Sequence, residues 1–194
     1  MAKKNTRNTR GKIVSAAWKL FYEQGYEDTT VEEIIDLSKT SKGSFYHYFD
    51  GKDALLSTLS TIFDEKYEEL MEQLTDEMSA MDQLLFLNQE LFRMIENSIS
   101  LDLLTRLYST QLTTNGEKHL LDHNRIYYKL LRKIIAKGRE NGQLSRTSGV
   151  SEMVKLYALA ERALLYDWCL CSGEYSLAEY SRQVFPSFLS SFLP

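Results

Sequence analysis

The chain has 194 residues, 43% of them hydrophobic and 26% charged, with two prolines, two cysteines and a net charge of −4. That composition excludes a disordered chain, which carries less apolar residue and more unbalanced charge, and the length suffices for a small domain plus a larger one. No apolar segment is long enough to span a bilayer, no secretory apolar core follows the basic start, and two cysteines make no disulfide framework. A cytoplasmic protein with no membrane partner is expected.

Charge is unevenly placed. Residues 1–52 carry nine Lys or Arg against seven Asp or Glu, and the remainder carries 14 against 20. The first 19 residues hold six bases and no acid. A basic end on an acidic body suits docking of that end onto nucleic acid. Taken singly, Lys3, Lys4 and Arg7 read equally well as a solvated tail.

Only Pro186 and Pro194 interrupt helices, and no β-branched alternation suggests a sheet. The expectation is an all-α fold of about nine helices. Residues 1–9 are expected to be mobile. A first helix runs from about Arg10 to Gln24, with Ile13, Ala17, Leu20 and Phe21 inward and Gly25 ending it.

The segment Thr29–Lys52 reads as two short helices joined by a tight turn. Thr29 or Thr30 caps the first, with Glu32 or Glu33 as the reciprocal capping-box partner. Ser38, Lys39 and Thr40 make the turn, and Ser41 caps a second helix through His47. Such a pair can lay one helix in the DNA major groove while the other crosses the backbone. Phe45 and Phe49 should point inward. Ser41, Lys42, Ser44, Tyr46, His47 and Tyr48 are donors suited to phosphates and base edges, and Gly43 leaves room for close backbone approach. Spacing alone fits equally a plain helical hairpin with solvated polar residues.

From Ile13 to Leu56 the chain resembles the DNA-binding domain of the TetR family of transcriptional regulators. The residues that carry this are Ile13, Ala16-Ala17, Leu20-Phe21, Gly25-Tyr26, Thr29-Thr30-Val31, Ile34, Ser41 through Tyr46, Tyr48-Phe49 and Lys52 through Leu56. The resemblance implies a homodimer reading a palindromic double-stranded operator and released by a small ligand. It also implies that Thr30, Tyr46 and Lys52 hold phosphates, while Ser41, Lys42, Gly43 and His47 lie nearest the bases. Two departures stand out: the family's turn glycine is Lys39 here, and the small residue before it is Ser38. A non-glycine residue in a left-handed turn costs about 1 kcal/mol, which Lys39 can offset by contacting a phosphate.

A fourth helix is expected from about Gly51 into the seventies, with Leu55, Leu59, Ile62, Phe63, Tyr67, Leu70 and Leu74 at three- and four-residue steps. It joins residues 1–50, the helix-turn-helix domain, to residues 51–194, a helical ligand-binding and dimerisation domain. Further helices are predicted over about 81–98, 101–112, 117–140, 150–172 and from Ser176 onward, with a loop at 113–116 and a kink at Pro186. In the helix over 150–172, Val150, Met153, Tyr157, Ala160, Leu164 and Cys171 form one stripe, while Val154, Leu165 and Trp168 lie off it. A helix apolar nearly all round is buried on more than one side. Segments 150–172 and 176–193 are therefore expected to pair with their symmetry mates, Ala158, Ala160 and Ala163 permitting close approach. The alternative is an intramolecular core.

No phosphate loop, nucleophile elbow or metal-protease pattern is present, so neither an enzyme nor a cofactor is expected. His119 and His123, one helical turn apart, lack an evident third metal ligand and read as surface or pocket residues. Cys169 and Cys171 read as packing residues. A ligand pocket is expected among Met94, Tyr108, Tyr127, Tyr128, Tyr157, Tyr166 and Trp168, with Glu90, Glu161 or Asp167 as charge partner. Such a lining suits an aromatic or cationic compound, although aromatic stripes also make ordinary cores. The function expected is a dimeric, ligand-responsive repressor. The alternative is an adaptor of the same fold acting mainly through a protein partner.

Overall fold

The structure, a computed structural model, describes residues 2–113 and 118–194, and side chains from Thr9 onward. Among the described residues it is helical throughout, with no strand.

The first helix, α1, spans Ala2–Glu23 and so begins well before the expected Arg10. The apolar periodicity that marks it in sequence starts only at Ile13, whereas residues 2–9 contain no proline or glycine to break a helix. Ile13, Ala16, Ala17 and Phe21 are buried. Gly25, at φ +91°, ends the turn that follows.

Helix α2 (Val31–Ser38) starts at a complete capping box. The Thr30 hydroxyl accepts from the Glu33 amide, and a Glu33 carboxylate oxygen accepts from the Thr30 amide at 2.8 Å. Its last carbonyls are closed by Lys39 in the left-handed region, at φ +53°. Helix α3 (Lys42–Tyr48) is capped by the Ser41 hydroxyl, which accepts from the Ser44 amide at 3.0 Å. Helices α1, α2 and α3 pack together around Ile13, Ile34, Phe45 and Phe49.

The expected fourth helix is two. Helix α4 (Lys52–Leu56) and α5 (Leu59–Met71) are separated at Ser57 and Thr58. Three hydroxyls at the break donate to carbonyls three residues back: Ser57 to Ala54, Thr58 to Leu55 and Ser60 to Ser57, at 2.6–2.7 Å. Such bonds compete with the helical ladder. Thr58 also accepts from the Trp18 indole at 2.8 Å, which pins α1 to the break.

The body comprises α6 (Ala80–Ser98), α7 (Leu101–Thr113), α8 (Ile126–Glu140), α9 (Val150–Leu170) and α10 (Leu177–Phe188). Helix α6 packs on α5, α8 and α10, and α9 lies against α7, α8 and α10. Gly138 lets α8 approach the start of α6: a Cβ there would come within 2.4 Å of the Ala80 Cβ. Of the loop expected at 113–116, Thr113 belongs to the last turn of α7, while 114–116 and the expected helix start at Glu117 lie outside the described residues. Helix α8 itself begins only at Ile126, because the Asp122 side chain accepts from the Asn124 amide at 2.8 Å and turns the chain. His119 falls in a separate 3-10 turn, His119–Leu121, so His119 and His123 do not share a helix face. Pro186 occupies the last turn of α10, which stops at Phe188.

Candidate DNA-binding surface and ligand cavity

Helix α3 has two sides. Phe45 is fully buried and Phe49 nearly so, while Ser41, Lys42, Gly43, Tyr46 and His47 are exposed and Ser44 is half-buried. The inward phenylalanines fix the helix, and five outward positions remain available to a duplex. The Ser41 and Ser44 hydroxyls bond each other at 2.9 Å. The Lys42 ammonium stands 3.6 Å from Glu32 with both side chains well exposed, a pair too solvated to hold it in place. Beside the turn, Lys12, Lys19 and Lys39 line one surface groove with Ser15 and Leu37. Lys12 and Lys19 carry no motif signal; the basic run they belong to is the only hint of them in sequence.

Lys52 takes a different position from the one the resemblance implies. Its ammonium donates to the backbone carbonyls of Tyr26, Glu27 and Thr29, at 2.5, 3.2 and 2.8 Å, and lies 4.3 Å from the Tyr26 ring centroid. All three of its donors are engaged in closing the loop before α2. Thr30 is likewise engaged in its capping box, although its side chain is exposed.

The same loop is tied to the body. The Tyr26 hydroxyl donates to Asp53 on α4, and Arg106 of α7 pairs with Glu27 at 2.6 Å and Asp102 at 2.9 Å while covering the Tyr26 ring.

Inside the body, a cavity of about 40 Å³ is lined by Phe63, Tyr67, Leu91, Tyr108, Leu120, Arg125, Tyr127, Glu161, Arg162 and Leu165. Glu161, on α9, is only 3% exposed. Its carboxylate accepts from Tyr127 at 2.7 Å, Asn88 at 3.1 Å and Tyr67 at 3.4 Å. Asn88 accepts from Ser181 in turn at 2.5 Å, so one polar network joins α5, α6, α8, α9 and α10. Burial raises the Glu161 carboxyl above the usual range, against the opposing pull of these donors. Burial, with Glu161 alongside, also raises Tyr67 and Tyr127 well above the usual phenol value. Arg125 is held by Asp64, both guanidinium contacts at 3.0 Å.

Of the expected lining, Tyr108, Tyr127 and Glu161 meet at the cavity. Tyr128 and Tyr157 sit next to it, their hydroxyls donating to the Leu120 and Leu84 carbonyls. Met94 is half-buried against the core, Glu90 pairs with Arg93, and the Trp168 indole donates to the Tyr175 carbonyl; none of the three lines it. Asp167 accepts from the Tyr175 hydroxyl. Tyr67, Arg125 and Arg162 join the wall, with the apolar Phe63, Leu91, Leu120 and Leu165, without any warning in sequence, since neither charge pairing nor a lone tyrosine on α5 marks a pocket there.

Tyr166 lies on another surface. Met153, Tyr157, Ala160 and Leu164 of α9 face the chain's own core, with Ala158. The side facing away carries Leu156, Leu159, Ala163, Tyr166 and Leu170, spaced alternately by three and four residues. Leu159, Tyr166 and Leu170, with Tyr180 and Phe188 on α10, are 41–64% exposed. The stripe through Met153, Tyr157, Ala160 and Leu164 is thus the intramolecular one and a second stripe remains outside; of the alanines expected to admit a partner helix, Ala158 and Ala160 are buried within the chain and Ala163 lies outward.

Among the described residues no cluster of three metal-ligating side chains occurs, and no helix is long and apolar enough to cross a membrane.

The profile of the family described as "Bacterial regulatory proteins, tetR family" matches residues 13–59, and that described as "YsiA-like protein, C-terminal region" matches 62–191. An uncharacterized HTH-type transcriptional regulator of Lactococcus lactis is 48% identical over 48 residues, 25% of this chain and 24% of that protein. The HTH-type transcriptional regulator QacR of Staphylococcus aureus is 39% identical over 62 residues, 32% of this chain and 33% of its own. The match thus spans a quarter to a third of the length of these relatives. Among solved structures, Thermus thermophilus FadR, a TetR family repressor in complex with lauroyl-CoA, is similar with a TM-score of 0.73 and 24% identity, covering 95% of each chain. Bacillus subtilis FadR in complex with stearoyl-CoA gives 0.67 and 21%, over 94% of this chain and 99% of that one. At these identities the structures establish a shared fold.

Proposed function

Because this chain belongs to the TetR family of bacterial transcriptional regulators, we propose that it is a homodimeric repressor that binds a palindromic operator and leaves it when a small molecule enters the α5–α9 cavity. Residues 1–50 form the DNA-binding domain and 51–194 the ligand-binding and dimerisation domain. The observation that carries this reading is α3: buried Phe45 fixes it, and Lys42, Gly43, Tyr46 and His47 stand outward together. Lys42 and His47 with Ser41 reach base edges, and Tyr46, Lys39 and the Thr30 end of α2 take phosphates.

The outward stripe from Leu156 to Leu170, with Tyr180 and Phe188, supports pairing of α9 and α10 with a second copy. Two copies present two α3 helices, which is what an inverted repeat requires.

Fluorescence anisotropy with DNA from upstream of the chain's own gene and with random duplex tests this. Binding of one dimer per site, tighter on the upstream DNA and weakening steeply with salt, is expected. Equal weak binding to both duplexes would instead favour an adaptor that acts through a protein partner.

A further inference from the structure

Glu161 carries a charge problem that its neighbours leave open. Its carboxylate is almost wholly removed from water, yet none of the ion pairs among the described residues includes it. The donors that reach it, from Tyr67, Tyr127 and Asn88, are all neutral. The nearby guanidinium of Arg125 is taken by Asp64 and the Ser60 carbonyl. Arg162, which shares the cavity wall, turns to the Tyr128 hydroxyl at 3.3 Å. A buried carboxylate without an opposite charge is costly and resolves by taking up a proton or a cation.

We infer that the cavity takes a monovalent organic cation, its charged head on the Glu161 carboxylate beside the rings of Tyr67, Tyr108 and Tyr127 and its apolar body against Phe63, Leu91, Leu120 and Leu165. Tyrosine rings attract a cation through their π faces, more strongly where water is excluded. The Tyr67 and Tyr127 rings stand 5.0 Å apart at 38°, both hydroxyls on the same carboxylate oxygen. An anion would meet the carboxylate's own charge, and a fatty chain would bury it against hydrocarbon. At about 40 Å³ the cavity has room for a few water-sized groups, so an ammonium head fits and a larger body must part Leu91, Leu120 and Leu165. Those movements press on Phe63 and Tyr67 of α5, the helix that follows the Trp18–Thr58 contact.

This inference rests on the cavity being the ligand site. Its test is calorimetric titration of the DNA-free full chain with three probes that share a benzyl group: benzyltrimethylammonium, its neutral isostere with carbon in place of nitrogen, and phenylacetate. The cation is expected to bind at least tenfold tighter than either of the others, and Glu161→Gln to abolish that preference. The quaternary probe does not titrate, so across a pH series from 5 to 8 its affinity for the wild-type chain should move only upward, the direction in which the buried Glu161 carboxyl gives up its proton. The other charged or titratable groups around it are Asp64 with Arg125, Tyr67, Tyr108, Tyr127, Tyr157 and Arg162, the phenols titrating far above that window; Asn88 of α6 and Ser181 of α10 are neutral. The pH series uses unaltered protein, so it answers even if Glu161→Gln folds poorly. Failure of the cation to bind at millimolar concentration, no advantage over the isostere, or an advantage that survives Glu161→Gln overturns the inference. A cation that binds through Glu161 but leaves operator DNA in place upholds it and contradicts release by this cavity.

Discussion

Arg106 on α7 holds Glu27 at 2.6 Å, and Glu27 belongs to the loop that feeds α2. The guanidinium also lies 4.9 Å from the Tyr26 ring centroid and pairs with Asp102 one turn back. Two residues further along α7, Tyr108 lines the cavity. One helix therefore touches both the cavity and the approach to the helix-turn-helix. Glu27 is well exposed and Arg106 half-buried, so the bridge is worth about 1 kcal/mol or less in stability; its importance is positional. Arg106→Ala is expected to leave the melting temperature within about 3 °C of wild type while speeding hydrogen exchange of amides 26–30. Unchanged exchange there would show that the loop is held without it.

Lys52 closes that loop from the other side. Removing an ammonium that serves three carbonyls should cost about 1–2 kcal/mol, or a fall of roughly 2–8 °C in melting temperature for a chain of this size. Lys42→Ala, altering a well-exposed side chain, should leave the melt unchanged and relax base preference. Thermal denaturation of both variants separates a loop clamp from a phosphate contact: a Lys52→Ala protein as stable as wild type, with DNA affinity reduced alike on all sequences, would return Lys52 to the phosphate role.

Lys39 holds a left-handed conformation that glycine adopts without strain. Lys39→Gly should therefore stabilise the chain by about 0.5–1 kcal/mol, seen as a rise of a few degrees in the melt. If the ammonium also meets a phosphate, the same variant lowers the salt dependence of DNA binding by about one counterion. A destabilised Lys39→Gly protein would mean that the side chain, which lines the groove with Lys12 and Lys19, matters more than the backbone.

Glu161 makes stability depend on pH. Its folded carboxyl is raised, so the folded chain holds the proton longer than the unfolded one. Its contribution is fully present below the unfolded value, about 4.3, and is lost as pH rises through the folded value. Denaturant melts at several pH values should show wild type weakening relative to Glu161→Gln as pH climbs above that point. Parallel curves for the two proteins would show that Glu161 keeps an ordinary carboxyl.

The features legible in sequence are those written in neighbouring residues. The Thr30–Glu33 capping box, the Ser41 cap and the inward pair Phe45 and Phe49 are separated by three or four positions, and helical geometry alone dictates them. Periodicity cannot say which side of α9 faces the chain's own core, because both are apolar, so Tyr166 reads as a cavity residue when it belongs to the outer stripe. Nor can it show the break between α4 and α5, which depends on where the Ser57, Thr58 and Ser60 hydroxyls turn. Lys52 escapes for a related reason: its partners are backbone carbonyls more than 20 residues away, which no side-chain pattern announces. Arg125 with Asp64, 61 positions apart, is equally silent.

The central claim is that α3 is presented twice to one duplex. Selection of bound sequences from a pool of random double-stranded oligonucleotides, at low ionic strength, measures that whatever the operator sequence is. The expected product is one inverted repeat, with Lys42→Ala blurring the same positions in each half. An enriched sequence lacking two-fold symmetry, or no enrichment at all, would contradict it.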